Sequence, residues 1–181
     1  MLFFPAVFRI LVQPRSRGLG YLYKSQPITL LNNINLHTEV NALVIFDPNP
    51  ELYPIIETSF EGLNTRRSTS PLNAKGATNI AITGEGVFDG SGDAWRFVKK
   101  GKLTESQWKS LVASGGILNE KKDTWYPSEQ SLNGHKVSDS FNNPQNLNTD
   151  AEWEAIHHWL RPVFLSPVPY PHLTLPTKRS V

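Results

Sequence analysis

Residues 71–96 constrain the fold most, because their apolar residues come in very short alternating groups separated by glycines. Ile80 and Ile82 alternate with small or polar residues, and Val87 begins the next short group. The glycines that interrupt these groups are Gly76, Gly84, Gly86, Gly90 and Gly92. The pattern predicts strands of about three to four residues that turn sharply and repeatedly, as in the coils of a parallel β-helix.

A repeat connects this stretch to an earlier part of the chain. Residues 27–30 match residues 71–74 at an offset of 44, and residues 33–36 match residues 79–82 at an offset of 46. Half of that spacing, about 22 to 23 residues, is the size of one coil of a large parallel β-helix, so we interpret the offset as two coils. Alternation predicts that the inward-facing residues are Ile34, Leu36, Ile80 and Ile82.

Residues 95–160 interrupt the β pattern and predict two helices. Thr104 and Gln107 have the spacing of a capping box, which predicts a helix from Glu105 to about Ala113. Thr149 and Glu152 repeat that spacing before a second helix, whose predicted buried stripe consists of Trp153, Ile156, His157 and Leu160. Residues 46–70 and 121–147 are rich in Pro or in polar residues and are predicted to be loops.

Four distinctive runs follow one another along the chain: N-I-A-I-T-G-E-G-V-F-D-G-S-G-D-A-W at residues 79–95, L-T-E-S-Q-W at 103–108, D-T-W-Y-P-S-E at 123–129 and L-R-P-V-F at 160–164. Together they resemble the opening coils of glycoside hydrolase family 28, the polygalacturonase-like pectinases, in the Bacteroidetes form. The resemblance covers roughly residues 28–166. It implies a mainly β fold, a right-handed parallel β-helix, of which this chain holds the first coils and a helical insert.

The resemblance also suggests how the chain is organised. Residues 1–27 are a poorly defined N-terminal segment, 28–94 the first β-helix coils, 95–160 a helical and loop insert, and 161–166 a return strand. Residues 167–181 are expected to be a non-native tail, because four prolines between Pro167 and Pro176 forbid the hydrogen-bond ladder of a continuing strand.

The family needs carboxylates on adjacent coils, one to protonate the glycosidic oxygen and others to activate water. It supplies them in the order N-T-D, D-D and H-G, followed by R-I-K for the substrate carboxylate. Asn148, Thr149 and Asp150 spell N-T-D, but they precede the R-P-V segment, and no D-D, H-G or R-I-K follows. We therefore interpret Thr149 as a helix cap and expect no catalytic residue in this chain.

Other polar groups have ordinary structural explanations. Asp89 and Asp93 resemble the start of a calcium loop, but Ala94 and Lys100 stand where that loop needs Gly and Glu, so positive φ at Gly90 and Gly92 in a turn is expected instead. The histidines, including adjacent His157 and His158, lack metal-ligand spacing and are assigned to packing or solvent. The less favoured alternatives are sugar stacking on Trp95 or Trp125 and attraction of a polyuronate by Arg66 and Arg67, which we interpret as a solvated pair on a loop. No metal or cofactor is expected.

Charge and hydropathy exclude several classes of partner. The net charge is +2, but 5 of the 18 basic residues lie near the ends, which leaves 13 against 16 acidic residues in the body of the chain. That body offers no broad basic field for nucleic acid. No apolar stretch of about 18 residues could span a bilayer, and the N-terminus lacks the features of a signal peptide.

The function implied by the resemblance is hydrolysis of pectic polysaccharide by an inverting acid and base mechanism, with the catalytic residues missing from this chain. The parent protein is expected to be monomeric and periplasmic or secreted. Two alternatives stay open: a polysaccharide lyase on a parallel β-helix, and a non-catalytic carbohydrate-binding β-helix.

Overall fold

The computed structural model describes residues 6–9 and 21–166, and for residues 6–9, 21 and 23 it describes the backbone alone. The predicted non-native tail, His172 and most of the N-terminal segment lie outside these residues. The described part is mostly sheet with few helices. None of its helices combines the length and apolarity that crossing a membrane requires.

Within the described residues, the strands are β1 (Ala6–Arg9), β2 (Tyr21–Ser25), β3 (Ile28–Thr29), β4 (Ile34–Thr38), β5 (Ala42–Phe46), β6 (Ile55–Phe60), β7 (Leu63–Ser68), β8 (Leu72–Asn73), β9 (Ala81–Gly84), β10 (Val87–Asp89), β11 (Val98–Lys99), β12 (Ile117–Leu118), β13 (Thr124–Tyr126) and β14 (Leu165–Ser166). The α-helices are α1 (Glu105–Ala113), α2 (Glu129–Val137) and α3 (Asp150–Ala155). Short 3-10 turns lie at Pro50–Leu52, Gly92–Trp95, Lys100–Lys102 and His157–Trp159.

The chain passes repeatedly through three small parallel sheets. Sheet I contains β2, β5 and β10, sheet II contains β3, β8 and β14, and sheet III contains β1, β4 and β9. From β2 onward, the chain visits sheets I, II and III in turn and then begins the same order again. We call one passage through the three sheets a circuit. The sheets are small and not closed.

In-register pairing stacks the inward side chains of successive circuits. Leu36 lies beside Ile82 in sheet III, and Val44 lies beside Phe88 in sheet I. In sheet II, Leu72 pairs with both Ile28 and Leu165. The buried residues of this core are Leu30, Leu36, Val44, Phe46, Leu72, Ala74 and Ala77. Ile34, Ile80 and Ile82 pack against that core, so the predicted inward face of both strands is confirmed.

The interpretation of the repeat as two coils was wrong. Asn35 pairs directly with Ala81, so the offset of 46 residues is one circuit and not two. A circuit without a hairpin or an insert is shorter, because Tyr21 pairs with Ala42 only 21 residues later. The second circuit is longer because it contains the antiparallel hairpin β6–β7, which the Pro-rich spacing concealed.

Asparagines support the corner between sheets II and III in successive circuits. Asn33 and Asn79 both have left-handed backbones, with φ of 60° and 53°. The Asn79 side-chain amide donates to the side-chain oxygen of Asn33 at 2.8 Å, and the side-chain oxygen of the neighbouring Asn32 accepts from the Thr78 N–H at 2.7 Å. Asn tolerates this conformation better than most residues, so stacked asparagines hold both turns at the same place.

The hairpin corrects the prediction of a loop at residues 46–70. β6 and β7 pair from Ile55 with Ser68 to Phe60 with Leu63. The connecting residues Glu61 and Gly62 both have positive φ, 51° and 83°, as the tight turns that suit twisted hairpins require.

The insert at residues 95–160 contains both predicted helices and additional structure. α1 has the predicted bounds and its capping box, Thr104 with Gln107, is present. The predicted loop at residues 121–147 is wrong in part, because it contains β13 and α2. β13 pairs antiparallel with both β11 and β12, and α2 is capped by Ser128.

The second predicted helix is shorter than expected but buries the expected stripe. α3 ends at Ala155, and the 3-10 turn His157–Trp159 follows it. The helix ends because Ile156 leaves the helical region, with φ of −116° and ψ of 14°. The core of the insert consists of Trp153, Ile156, Trp159 and Leu160.

Shortening a stacked side chain should destabilise the circuits. Leu36 has no exposed surface, so Leu36→Ala is expected to lower the free energy of unfolding by about 2 to 5 kcal/mol. Leu31, which is 68% exposed, is the matched control, and Leu31→Ala should change it by less than about 0.5 kcal/mol. Urea denaturation of both variants measures the difference, and equal effects would contradict the stacked core.

Gly134 on α2 packs against the core of the insert, so a larger residue at this position should destabilise the chain. Ala normally stabilises a helix interior by about 1 kcal/mol over Gly. A Cβ at Gly134 would lie 2.2 Å from the Trp159 Cβ, so Gly134→Ala should instead destabilise the chain by about 1 to 3 kcal/mol. Gly101→Ala is the control, because its Cβ would meet nothing within 4 Å. Thermal melting of both variants tests this, and a stabilised Gly134→Ala variant would contradict the contact.

Candidate functional site

Two long excursions leave the circuits between sheets I and II and meet outside them. The hairpin β6–β7 lies between β5 and β8, and the insert lies between β10 and β14. Arg66 on β7 donates to the carboxylate of Asp150 on α3. Arg67, the next residue, donates to the Asn142 side-chain oxygen at 3.0 Å. The hairpin and the insert are therefore in direct contact with each other.

A pocket of about 400 Å³ lies at this junction. Its lining combines cations and aromatic rings from the hairpin, the insert and the segment just before β14, including Phe60, Arg67, Trp95, Arg96, Phe141, Arg161 and Phe164. We call it the arginine pocket. Among its described lining residues there is no carboxylate.

Arg67 is the most buried cation of the arginine pocket, with 4% of its surface exposed. Its guanidinium lies 4.5 Å from the centre of the Phe60 ring, and Nη2 also donates to the Arg161 carbonyl at 3.1 Å. Burial lowers its pKa from the ordinary arginine value. Its Nε and Nη1 have no acceptor among the described residues. The expectation of a solvated arginine pair on a loop is therefore wrong for Arg67, which lies on β7.

Arg161 contributes the second guanidinium of the pocket. It lies 4.0 Å from the centre of the Phe141 ring, and its Nε has no acceptor among the described residues. Burial lowers the pKa of Arg161, and the nearby positive charge of Arg96 lowers it further. The positive charges of Arg96 and Arg161 are thus close enough to repel each other.

Arg66 has a different environment from its neighbour. Its guanidinium pairs with Asp150 and, at 3.4 Å, with Glu57, and the hydrogen bond that it donates to Asp150 raises its pKa. Arg66 and Glu57 line a second pocket of about 740 Å³ together with Trp153. Two carboxylates neutralise Arg66 there, so that pocket offers no free cation from this residue.

The N-T-D motif forms a helix N-terminus. The Thr149 hydroxyl accepts from the Glu152 N–H at 3.3 Å, and the Glu152 carboxylate accepts from the Thr149 N–H at 2.8 Å. Bonds from Asn148 and Thr149 lower the pKa of Glu152. Asp150 is the first residue of α3, and its partner is Arg66. The predicted capping role of Thr149 is confirmed.

The D-G-S-G-D run forms a turn whose backbone differs from the prediction. The left-handed residue is Ser91, with φ of 50°, and not Gly90 or Gly92. Asp89 accepts from the Ser91 N–H at 2.9 Å, which holds this conformation. Gly90 packs closely, because a Cβ there would lie 3.0 Å from the Phe164 ring, which would then have to shift by a few tenths of an ångström.

The histidines of the described residues lie in packed or hydrogen-bonded positions. His157 is buried and its Nε2 donates to the Tyr53 carbonyl at 2.8 Å. His158 contacts Ser128, and His37 contacts Thr83. His135 stacks on Phe97 and Trp159. Within residues 6–9 and 21–166, no three His, Asp or Glu side chains are grouped as a metal site would need.

The two tryptophans considered as sugar platforms have different positions. Trp95 is 4% exposed and packs edge-on against Tyr53, so its faces are not displayed. Trp125 is half-buried and its indole N–H donates to the Gly115 carbonyl at 2.7 Å. Sequence reasoning missed the rings of Phe60 and Phe141 and the burial of Arg161. The R-P-V segment was the available signal for Arg161.

Comparison with known proteins gives one described similarity. No protein-family model and no curated protein matches the chain. A solved structure of a hyperthermoactive exopolygalacturonase from Thermotoga maritima is 37% identical over 41% of this chain, with a TM-score of 0.37. The match spans 16% of that protein's length. The similarity is therefore to a limited part of a glycoside hydrolase, and its TM-score does not establish a shared overall fold.

The capping role of the N-T-D motif predicts distinct effects at neighbouring positions. Thr149→Ala removes the side-chain acceptor of the first turn and should cost about 1 kcal/mol of unfolding free energy. Asp150→Asn removes only an exposed ion pair with Arg66 and should cost less. Urea denaturation at neutral pH compares the two, and a larger loss for Asp150→Asn would contradict this assignment.

Proposed function

We propose that this chain forms the first circuits of a right-handed parallel β-helix that belongs to a polygalacturonase-like glycoside hydrolase. The observation that carries the proposal is the position of the family-like run at residues 79–95. It occupies β9, β10 and the turn after them, where the chain passes from sheet III to sheet I in register with the circuit before. The residues that resemble the family are thus the residues that form stacked parallel strands in this chain.

The complete protein is proposed to hydrolyse glycosidic bonds of pectic polysaccharide, with a galacturonan-type chain as its partner. Inversion at the sugar needs an acid and a base about 6.5 to 9.5 Å apart, so that a water fits between the base and the sugar. We infer that these carboxylates belong to circuits beyond those described. We also propose that the complete protein is monomeric and acts in the periplasm or outside the cell.

The second candidate is a carbohydrate-binding β-helix without catalysis. The arginine pocket supports it, because that pocket offers cations and aromatic rings without a carboxylate to act as acid or base. A polysaccharide lyase on the same architecture would use a basic residue and calcium, and the run at residues 79–95 resembles the hydrolase.

The chain alone should release no reducing ends from polygalacturonate. The assay incubates the purified chain with the polymer, with and without calcium, and follows reducing ends together with the ultraviolet absorbance of unsaturated products. Neither signal is expected, because Asp150 is the first residue of a helix and pairs with Arg66. Reducing ends without unsaturation would show that the acid pair lies in this chain, and unsaturated products would favour the lyase.

The hydrolase and the binding module are separated by the genomic DNA that follows the codon for Ser166. An open frame with N-T-D, D-D, H-G and R-I-K in that order is expected. Expression of that longer protein should produce inverting hydrolysis of polygalacturonate. A frame without those motifs would overturn the hydrolase and favour the binding module.

A further inference from the structure

The outer face of sheet I carries an apolar row, whereas sheets II and III carry polar rows on theirs. The outward row of sheet II consists of Thr29, Asn73 and Ser166. An outward row of sheet III contains His37 and Thr83. The corresponding row of sheet I is aliphatic and consists of Leu22, Leu43 and Val87, which are in register on β2, β5 and β10.

This aliphatic row is accessible to a partner. Leu22 is 54% exposed and Val87 is 58% exposed, and Leu43 lies between them on the central strand. Val40, which is 58% exposed, lies just before the start of β5. A single exposed apolar side chain is ordinary, but neighbouring ones on one sheet face indicate a contact surface.

A second outward row makes this face complementary to itself. Lys24, Ile45 and Asp89 are in register on β2, β5 and β10. One edge of the face is therefore positive and the opposite edge negative, with the two edge strands roughly 10 Å apart. No ion pair among the described residues includes Lys24 or Asp89. Both charges are thus available to a partner.

A two-fold axis along β5 would pair this face with its own copy. Rotation about that axis keeps the strand direction and exchanges the edges, so β2 of one copy lies over β10 of the other. Each Lys24 then faces an Asp89 of the second copy, each Leu22 faces a Val87, and Leu43 faces its own equivalent. Sheets that pack face to face keep their strands within about 30° of each other, as this arrangement requires.

We propose that this chain forms a weak symmetric dimer through the outer face of sheet I. The aliphatic rows supply the buried apolar contact, and the two pairs of Lys24 with Asp89 select the orientation. The face is only three short strands wide, which is smaller than a standard interface, so half of the chains should be paired at about 10 to 1,000 µM.

This inference goes beyond the proposed function and concerns the present chain. A further circuit stacked on β10 would widen sheet I, so Asp89 would no longer lie on its edge strand. The monomeric state that we propose for the complete protein is therefore a separate claim. A chain that fails to dimerise would leave the hydrolase proposal unchanged.

Sedimentation equilibrium of the full chain tests the dimer over concentrations from about 5 µM to about 1 mM. A reversible transition from monomer to dimer is expected. A monomer at every concentration would overturn the proposal. Growth into larger species would also overturn it, because it would indicate head-to-tail contacts through the strand edges and not a closed pair of faces.

Mixing two charge variants tests the orientation. Lys24→Glu and Asp89→Lys each place like charges opposite each other in the dimer, so each variant alone should associate about 10-fold more weakly. In an equimolar mixture, one copy of each variant restores both opposite-charge pairs, so the mixture should associate about as tightly as the unaltered chain. A mixture that associates no better than either variant alone would overturn the two-fold arrangement.

Leu43→Glu tests the apolar row, because it would place two carboxylates against each other on the axis. Dimerisation of this variant should be lost up to about 1 mM. Thr29→Glu, on the exposed outer face of sheet II, is the matched control and should dimerise normally. Thermal melting shows whether each variant is folded, and a folded Leu43→Glu variant that still dimerises would overturn the proposal.

The Leu43→Glu result does not depend on the charge variants. Asp89 accepts from the Ser91 N–H at 2.9 Å and supports the turn after β10, so Asp89→Lys could also disturb folding. Leu43→Glu leaves that turn intact. It therefore decides for or against the face even where Asp89→Lys does not fold.

Discussion

In-register stacking of short parallel strands is the constraint on which the other features depend. Strands of two to six residues cannot be stable alone, and each inward side chain is buried only because its counterpart in the next circuit covers it. Leu72 illustrates this, since it lies between Ile28 and Leu165, which is separated from it by the whole insert. The strand must return to the same register however long the excursion is.

That constraint decides where the chain can be enlarged. The corner between sheets II and III is held by paired asparagines at Asn33 and Asn79, and the corner between sheets III and I is short in both circuits. At that second corner Gly86 lies against Thr38, where a Cβ would be 2.6 Å away. Both long excursions leave from the remaining corner, between sheets I and II. Because successive circuits stack, successive excursions are neighbours, and the arginine pocket forms between them.

The predictions from sequence succeeded where the determining contacts are local. The capping boxes at Thr104 and Thr149 fix helix starts within four residues, so both were found. The hairpin was missed because Pro48, Pro50 and Pro54 suggested a loop, although they precede β6. β13 was missed because its three residues are strand only through the pairing with β11 and β12. The circuit length failed for a related reason, since a hairpin inside a repeat doubles its apparent period.

The candidate site depends on long-range contacts that no local pattern contains. Arg66 and Arg67 are adjacent in sequence, but successive residues of a strand point to opposite faces. On one face, α3 supplies Asp150 to neutralise Arg66; on the other, the insert supplies Phe141, Asn142 and a second arginine. The same dipeptide thus produces an ion pair and an unneutralised pocket. The difference arises because residues of the insert, about 75 to 94 positions later, meet the hairpin on both faces. A fold that returns its excursions to one corner can therefore assemble a pocket from residues that do not belong to the stacked sheets.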